Sequence, residues 1–218
     1  MSLKLYGANV CPFVHRVRLV LAEKQVDHEY VAIDLRHKPD WYHRVLPTGR
    51  VPLLEHNGSR IWESSILCEY LEDAFATPAL LSSSPIERAE VRLFIDWSST
   101  HIVSGFYKLL SAQDPVAQEQ HKEALTSSLR EFDTRLGQKS GPFLQSRLSL
   151  ADFEIYPWFE RWAVLEHYRA FPLPENLENL KNWLTALEAS RSVKGLRESD
   201  DFFVEQYRDY AVGERVPT

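Results

Sequence analysis

Strand-forming signals in this chain stop early, and that asymmetry limits what it can fold into. Leu3 to Ala8 alternates in polarity and runs into Gly7-Ala8-Asn9, which reads as a strand and its end. "DHEYVAID", Asp27 to Asp34, reads as a second strand. "VPLLEH" and "SRIW" flank Asn57-Gly58, the strongest two-residue hairpin signal. Between these runs the helical period appears. Val14, Val17, Val20 and Leu21 form an apolar face, with Arg16, Arg18, Glu23 and Lys24 expected on the polar one. "ESSILCEYLEDAF" places Ile66, Leu67, Tyr70 and Leu71 on one helical face. A loop with a short helix around Trp41 fills the middle. The order strand-helix-strand, loop, strand-strand-helix suits a small mixed sheet flanked by helices.

Beyond Pro85 only the helical period remains. Helices are expected over 86–112 and 117–137, through "LSLADFEIYPWFERWAVLE", and over "LPENLENLKNWLTALEA". Ser149 with Asp152 three residues on resembles a capping box, with Asp in place of the usual Glu or Gln. Pro157 lies inside that run, where a proline removes a helical hydrogen bond. The proline- and serine-bearing "ATPALLSSSP" separates the two halves. The expected organisation is an α/β domain over 1–76, a linker over 77–85 and an all-α domain over 86–218.

The 218 residues carry a formal charge of −6, with 44% apolar and 26% charged residues. A mild negative charge argues against a nucleic-acid partner, which needs clustered cations. No run approaches the roughly 20 apolar residues that span a bilayer. "MSLKLYGANV" lacks the basic, apolar and small-residue regions of a secretory signal, so a cytoplasmic location is expected and a membrane is not. Two distant cysteines make no disulfide framework and suit a reducing compartment. Neither CxxC nor HExxH occurs, and His37, His43 and His56 are scattered, so no metal is expected.

The two cysteines read differently. Cys68 lies inside a helix beside Leu67 and Leu71 and is expected to pack in the core. Cys11 precedes Pro12, a residue suited to the first position of a helix. A thiol there meets unpaired backbone N–H groups and the positive end of the helix dipole, which favour the thiolate. No second cysteine follows within a turn, so a disulfide formed at Cys11 needs an external thiol, such as glutathione, to resolve it.

These pieces carry a resemblance. "CPFVHRVRLVLAEK", "HKPDWYHRVLPTGRVPLLE", "WESSILCEYLEDAF", "SLAD" and "IYPWFERW" together resemble the cytosolic glutathione transferases, in particular the omega class and its bacterial relatives. The resemblance covers nearly the whole chain. It implies an α/β thioredoxin-like N-terminal domain followed by an all-α C-terminal domain. By position, the family's catalytic cysteine falls on Cys11. Its glutathione contacts fall on Phe13, Lys38, Val51, Pro52 (cis in the family), Glu63 and Ser64.

The assignments make chemical sense for a short peptide with a carboxylate at each end and one ammonium. Val51 offers backbone groups for strand addition. Ser64 suits a carboxylate at a helix N-terminus. Glu63 answers the ammonium, and Lys38 the other carboxylate. Each residue also has a plainer reading: an ordinary trans proline, a helix cap at Glu63-Ser64, a surface lysine. Arg16 reads either as a surface residue or as a charge that aids the thiolate or orders the loop. Tyr6 reads as packing. "PTGR" stands where the family has "NPFG", so Thr48 and Arg50 alter the mouth of the site. "SDDFFVEQY" lacks the family's usual tryptophan, leaving Phe202 or Phe203 as wall residues of the second-substrate pocket.

The resemblance implies glutathione-dependent thiol transfer through a Cys11–glutathione mixed disulfide, with dehydroascorbate reduction as a related activity, glutathione as co-substrate and no metal. It also implies a homodimer, with Phe75, Leu80, Leu81 and the helix from Ile86 as candidate contacts. Two rivals stand beside it: a conjugating transferase, for which a cysteine is a poor fit, and a non-enzymatic regulator like the stringent starvation proteins, which lack this cysteine.

Overall fold

The computed structural model describes residues 2–214. The chain forms two compact units that divide between Leu80 and Leu81. The first contains β1 (Leu3–Gly7), α1 (Pro12–Glu23), β2 (Glu29–Ala32), α2 (Asp40–Val45), β3 (Leu53–His56), β4 (Ser59–Trp62) and α3 (Ser64–Ala74). The sheet order is β2-β1-β3-β4. β1 and β2 are parallel, a pairing that needs a crossover, and α1 provides it. The remaining pairs are antiparallel, with Tyr6 opposite Leu53 and Leu53 opposite Trp62. Asn57 (φ 50°) and Gly58 (φ 84°) both take positive φ, as a two-residue hairpin turn of this hand requires. α1 comes in close to the end of β1, which leaves room only for glycine at position 7: a Cβ there would sit 2.5 Å from Val14 Cγ1.

Both helices flanking this sheet depart from the expected faces. On α3 the buried stripe is Ser64, Leu67, Cys68, Leu71 and Glu72, while Ile66 is 58% exposed. The stripe follows the i, i+3, i+4 pattern, and Ile66 falls off it. On α1 the expected polar residues Arg16 and Lys24 are buried. Lys24 can be, because its ammonium is satisfied. Nζ lies 2.6 Å from Glu72 Oε2 and donates to the Phe75 and Pro78 carbonyls at 2.7 Å each. Glu72 in turn accepts from Leu80 N–H at 3.0 Å. Removing one partner of such a buried pair typically costs about 3–5 kcal/mol.

The second unit is helical. It contains α4 (Pro85–Ser98), a π-helical turn (Ser99–Val103), α5 (Ser104–Ser111), α6 (Pro115–Gly137), α7 (Leu150–Glu160), α8 (Ala163–Arg169), α9 (Glu178–Ala189), α10 (Arg191–Lys194) and α11 (Asp200–Ala211). The single helix expected over 86–112 is therefore interrupted. At the interruption His101 stacks on Trp97 and its Nδ1 bonds the Trp97 carbonyl at 2.8 Å. α7 is buried along its whole length, as a helix apolar on all sides must be. Around it pack Phe132, Trp183 and Trp162, with Phe159–Trp183 ring centroids 5.2 Å apart. The capping box forms. Asp152 accepts from Ser149 N and Oγ (2.8 Å each), from Leu144 N (2.9 Å) and from Trp183 Nε1 (2.8 Å). Burial pushes the Asp152 carboxyl up from its ordinary range, and these donors oppose that push. Pro157 stands inside α7, which nevertheless runs on to Glu160.

Candidate functional site

The strand register gathers the candidate residues. Gly7 ends β1 with Ala32 beside it on β2, while Tyr6, Leu53 and Trp62 line up across β1, β3 and β4. Four connections therefore leave the same end of the sheet. One leads from Gly7 to Cys11 and α1. One leads from Ala32 past Lys38 to α2. One brings Val51-Pro52 into β3, and one carries Glu63 into α3.

Cys11 is the N-cap residue of α1, with extended backbone (φ −77°, ψ 118°) and Pro12 at the first helical turn. Its carbonyl already accepts from His15 N–H at 3.0 Å, so the thiol stands at the helix start. The side chain makes no capping hydrogen bond and is half-buried. Cys68 is wholly buried in α3. Phe13 is half-buried on the first turn of α1, with the Arg16 guanidinium carbon 5.2 Å from its ring centroid. Lys38 is half-buried in the loop before α2. Val51 is half-buried, Pro52 is buried, and the bond between them is cis.

Glu63 is exposed and carries φ 71° in the left-handed region. A residue with a side chain there costs about 1–3 kcal/mol, and the surrounding structure must hold it in place. Neither a Glu63 carboxylate cap nor any other side-chain cap is made at α3, so the plain helix-cap reading does not describe this turn. Ser64 is buried as the first residue of α3, and its Oγ accepts from Arg16 Nη1 at 3.2 Å. Arg16 itself is 3% exposed, so the surface reading of that residue is corrected.

Tyr6 packs, with Ile33, Tyr42, Leu46 and Leu53. Burial first, and the Glu55 charge second, push its hydroxyl up. Tyr42 was not singled out by sequence. It is wholly buried and donates to the Arg50 carbonyl at 2.6 Å, fixing the residue just before Val51. Burial first, then the Tyr6 and Cys11 charges, push its hydroxyl up. The available signal was an aromatic pair, Trp41-Tyr42, a few residues before "PTGRVP". Thr48 and Arg50 are both exposed.

In the helical unit, Phe203 is wholly buried beneath Arg161, whose guanidinium carbon lies 4.4 Å from the ring centroid. Phe202 beside it is partly exposed, so of the two it has surface to offer a substrate. Among the described residues no group of three or more His, Cys, Asp or Glu is placed to hold a metal ion, and no helix is long and apolar enough to cross a membrane.

Comparisons with known proteins agree with this fold. Residues 5–79 match the family described as "Glutathione S-transferase, N-terminal domain", and residues 115–186 match "Glutathione S-transferase, C-terminal domain". "Glutathione S-transferase omega-1" of Sus scrofa is 32% identical over 197 residues, 89% of this chain and 80% of that one. The crystal structure of glutathione transferase Omega 3C from Trametes versicolor superposes with a TM-score of 0.87 at 32% identity, over 96% of this chain and 90% of that one. Rice GST1, solved in complex with glutathione, superposes with a TM-score of 0.85 at 26% identity, over 95% of this chain and 97% of that one. With a thioredoxin-like unit, a helical unit and both domain matches in place, the chain belongs to the glutathione S-transferase family, has omega-class members among its relatives, and is a glutathione-dependent enzyme.

Proposed function

We propose that this enzyme catalyses glutathione-dependent thiol transfer with Cys11 as nucleophile. The supporting observation is the placement of a half-buried thiol at a helix start, on the same sheet end as Val51 and Ser64. In the first step the Cys11 thiolate attacks the glutathionyl sulfur of a mixed disulfide. The Cys11–S bond forms, the old S–S bond breaks, and the other thiol leaves as its thiolate. In the second step the thiolate of a further glutathione attacks the Cys11 disulfide at the bound glutathionyl sulfur. Glutathione disulfide departs and the Cys11 thiolate returns. The net exchange moves two electrons: one mixed disulfide and one glutathione thiol give one free substrate thiol and one glutathione disulfide. Dehydroascorbate reduction, the related activity, takes the same two electrons from two glutathiones.

Within this reading, the Val51 backbone pairs with the cysteinyl unit, and Phe13 adds backbone contact beside the thiol. Glu63 and Ser64 take the γ-glutamyl end, Lys38 meets the glycyl carboxylate, and Phe202 borders the second-substrate pocket. A conjugating enzyme would instead activate the thiol of glutathione by a hydrogen bond from Ser or Tyr. Tyr6, buried in its cluster, does not suit that task. The experiment compares rates with a small glutathione mixed disulfide and with a chlorinated nitrobenzene, on wild type and Cys11→Ala. The expected outcome is turnover of the disulfide that disappears in the variant. Full retention of that activity in Cys11→Ala overturns the reading.

We propose also that the chain forms a homodimer. Leu80 and Leu81 are buried within the chain, so they are not available as contacts. Exposed apolar residues stand elsewhere: Ile86 (69%) and Leu93 (70%), seven apart on α4, and Trp62 (47%) and Ile66 (58%) in the first unit. Light scattering on the eluting species, for wild type and Leu93→Glu, tests this; a wild-type monomer overturns it.

A further inference from the structure

The buried arginine on α1 belongs to neither step above, yet it touches two of the residues assigned to glutathione. Arg16 is 3% exposed. Its guanidinium lies over the Phe13 ring and donates through Nη1 to Ser64 Oγ, a side chain 48 residues further along. It thus joins the first turn of the helix that begins at Cys11 to the first turn of the helix that begins at Ser64. A guanidinium stays charged at any working pH and burying it is costly, so what it contacts is worth asking about.

The direction of the hydrogen bond supplies the answer. Arginine carries donors only. The Ser64 hydroxyl must accept from it, so its single proton cannot point back and is turned elsewhere. Ser64 sits at the N-terminal turn of an 11-residue helix, where backbone N–H groups and the dipole favour an anion. A hydroxyl polarised by a cation behind it is also a better donor in front. We infer that Arg16 is a positioning residue: it fixes the Ser64 hydroxyl as a donor aimed at the γ-glutamyl carboxylate of glutathione. This inference rests on the reading that Ser64 binds that end of the tripeptide.

Because Arg16 acts through one hydroxyl, its effect must vanish when the hydroxyl is gone. The test is a double-mutant cycle on the full chain under reducing conditions, with Arg16→Leu, Ser64→Ala and the pair, reading glutathione Kd by calorimetry. The expected result is a tenfold or greater weakening by Arg16→Leu alone. In the Ser64→Ala background the same change alters Kd by less than twofold. Cysteinylglycine, which lacks the γ-glutamyl unit, should bind wild type and Arg16→Leu alike, whereas general damage to the fold would weaken both ligands. Arg16→Lys keeps a charged donor and should recover part of the loss. If Arg16→Leu does not fold, the cycle is run with Arg16→Lys, whose smaller loss must likewise vanish in the Ser64→Ala background, and a loss that persists there overturns the inference.

Additive losses, or an unchanged Kd in a folded Arg16→Leu protein, overturn the inference and leave the glutathione reading standing. Failure of wild type to bind glutathione overturns that reading, and this inference with it.

Discussion

Two helices in this protein begin in opposite ways. α7 starts with Ser149, whose backbone and hydroxyl both donate to Asp152, and the Asp152 carboxylate also gathers Leu144 N–H and Trp183 Nε1–H. Every group at that start is turned inward and buried. α1 starts with Cys11, whose side chain makes no capping bond and is half-buried. The first arrangement spends its polar groups on holding the helical unit together. The second leaves the positive end of a helix facing a thiol. An uncapped start is not by itself a site, since Ser84 before α4 makes no side-chain cap either. What distinguishes α1 is the thiol together with three other connections leaving the same end of the sheet.

The contrast can be broken by making one start resemble the other. Cys11→Ser supplies a good capping residue in place of the nucleophile. It should lower thiol transfer by about a thousandfold or more while raising stability by up to ~1 kcal/mol, read from turnover and a urea melt together. A stability loss would show that the thiol itself packs. Opening α7 is the reciprocal change. Asp152→Asn puts an amide N–H₂ against two of the donors that now meet an oxygen. It should cost about 2–4 kcal/mol at neutral pH, with the thiol chemistry of the folded fraction unchanged. A loss below ~1 kcal/mol would mean the box is not the anchor of this unit.

Smaller effects test how the open edge is held. Tyr42→Phe removes the donor to the Arg50 carbonyl and should cost about 1–2 kcal/mol. Because Arg50 precedes Val51, the KM for glutathione should rise severalfold with kcat little changed. A fall in kcat alone would place Tyr42 in the chemistry instead. The smallest effect concerns Asp34, whose Oδ1 accepts from Arg36 N–H at 2.8 Å and His37 N–H at 3.2 Å in the loop leading to Lys38. Those bonds hold its carboxyl below the ordinary value. The sign follows: their contribution is present above the ordinary pKa and lost as pH falls through the depressed one. NMR titration should find the Asp34 midpoint below that of an ordinary aspartate, with the Arg36 and His37 amides exchanging faster in Asp34→Ala at pH 7. A midpoint at or above that of an ordinary aspartate contradicts the loop geometry.

What could be read from sequence was what local rules decide. The Asn57-Gly58 hairpin, the Pro12 helix start and the Ser149–Asp152 box each depend on residues within a few positions of one another, and each is present. The mixed sheet followed by helices was legible for the same reason. Long-range placement was not. Arg16 reads as a surface cation until Ser64, 48 residues away, is brought beside it. Lys24 reads as the polar end of α1 until Glu72 and two carbonyls close around it. Ile66 looks equivalent to Leu67 by type, and only the packed stripe separates them. The π-helical turn at Ser99–Val103 has no cue in its residue types that we can identify. At the candidate site, the connections were legible as motifs, whereas the Tyr42 bond that holds one of them depends on the folded loop.

The central claim concerns which of two sulfur atoms reacts. Incubating the protein with glutathione disulfide and mapping adducts by mass spectrometry tests it most directly. The account predicts one glutathionyl group, on Cys11, removed by added glutathione, with Cys68 unmodified in the folded protein. An unmodified Cys11, or an adduct only at Cys68, would contradict it.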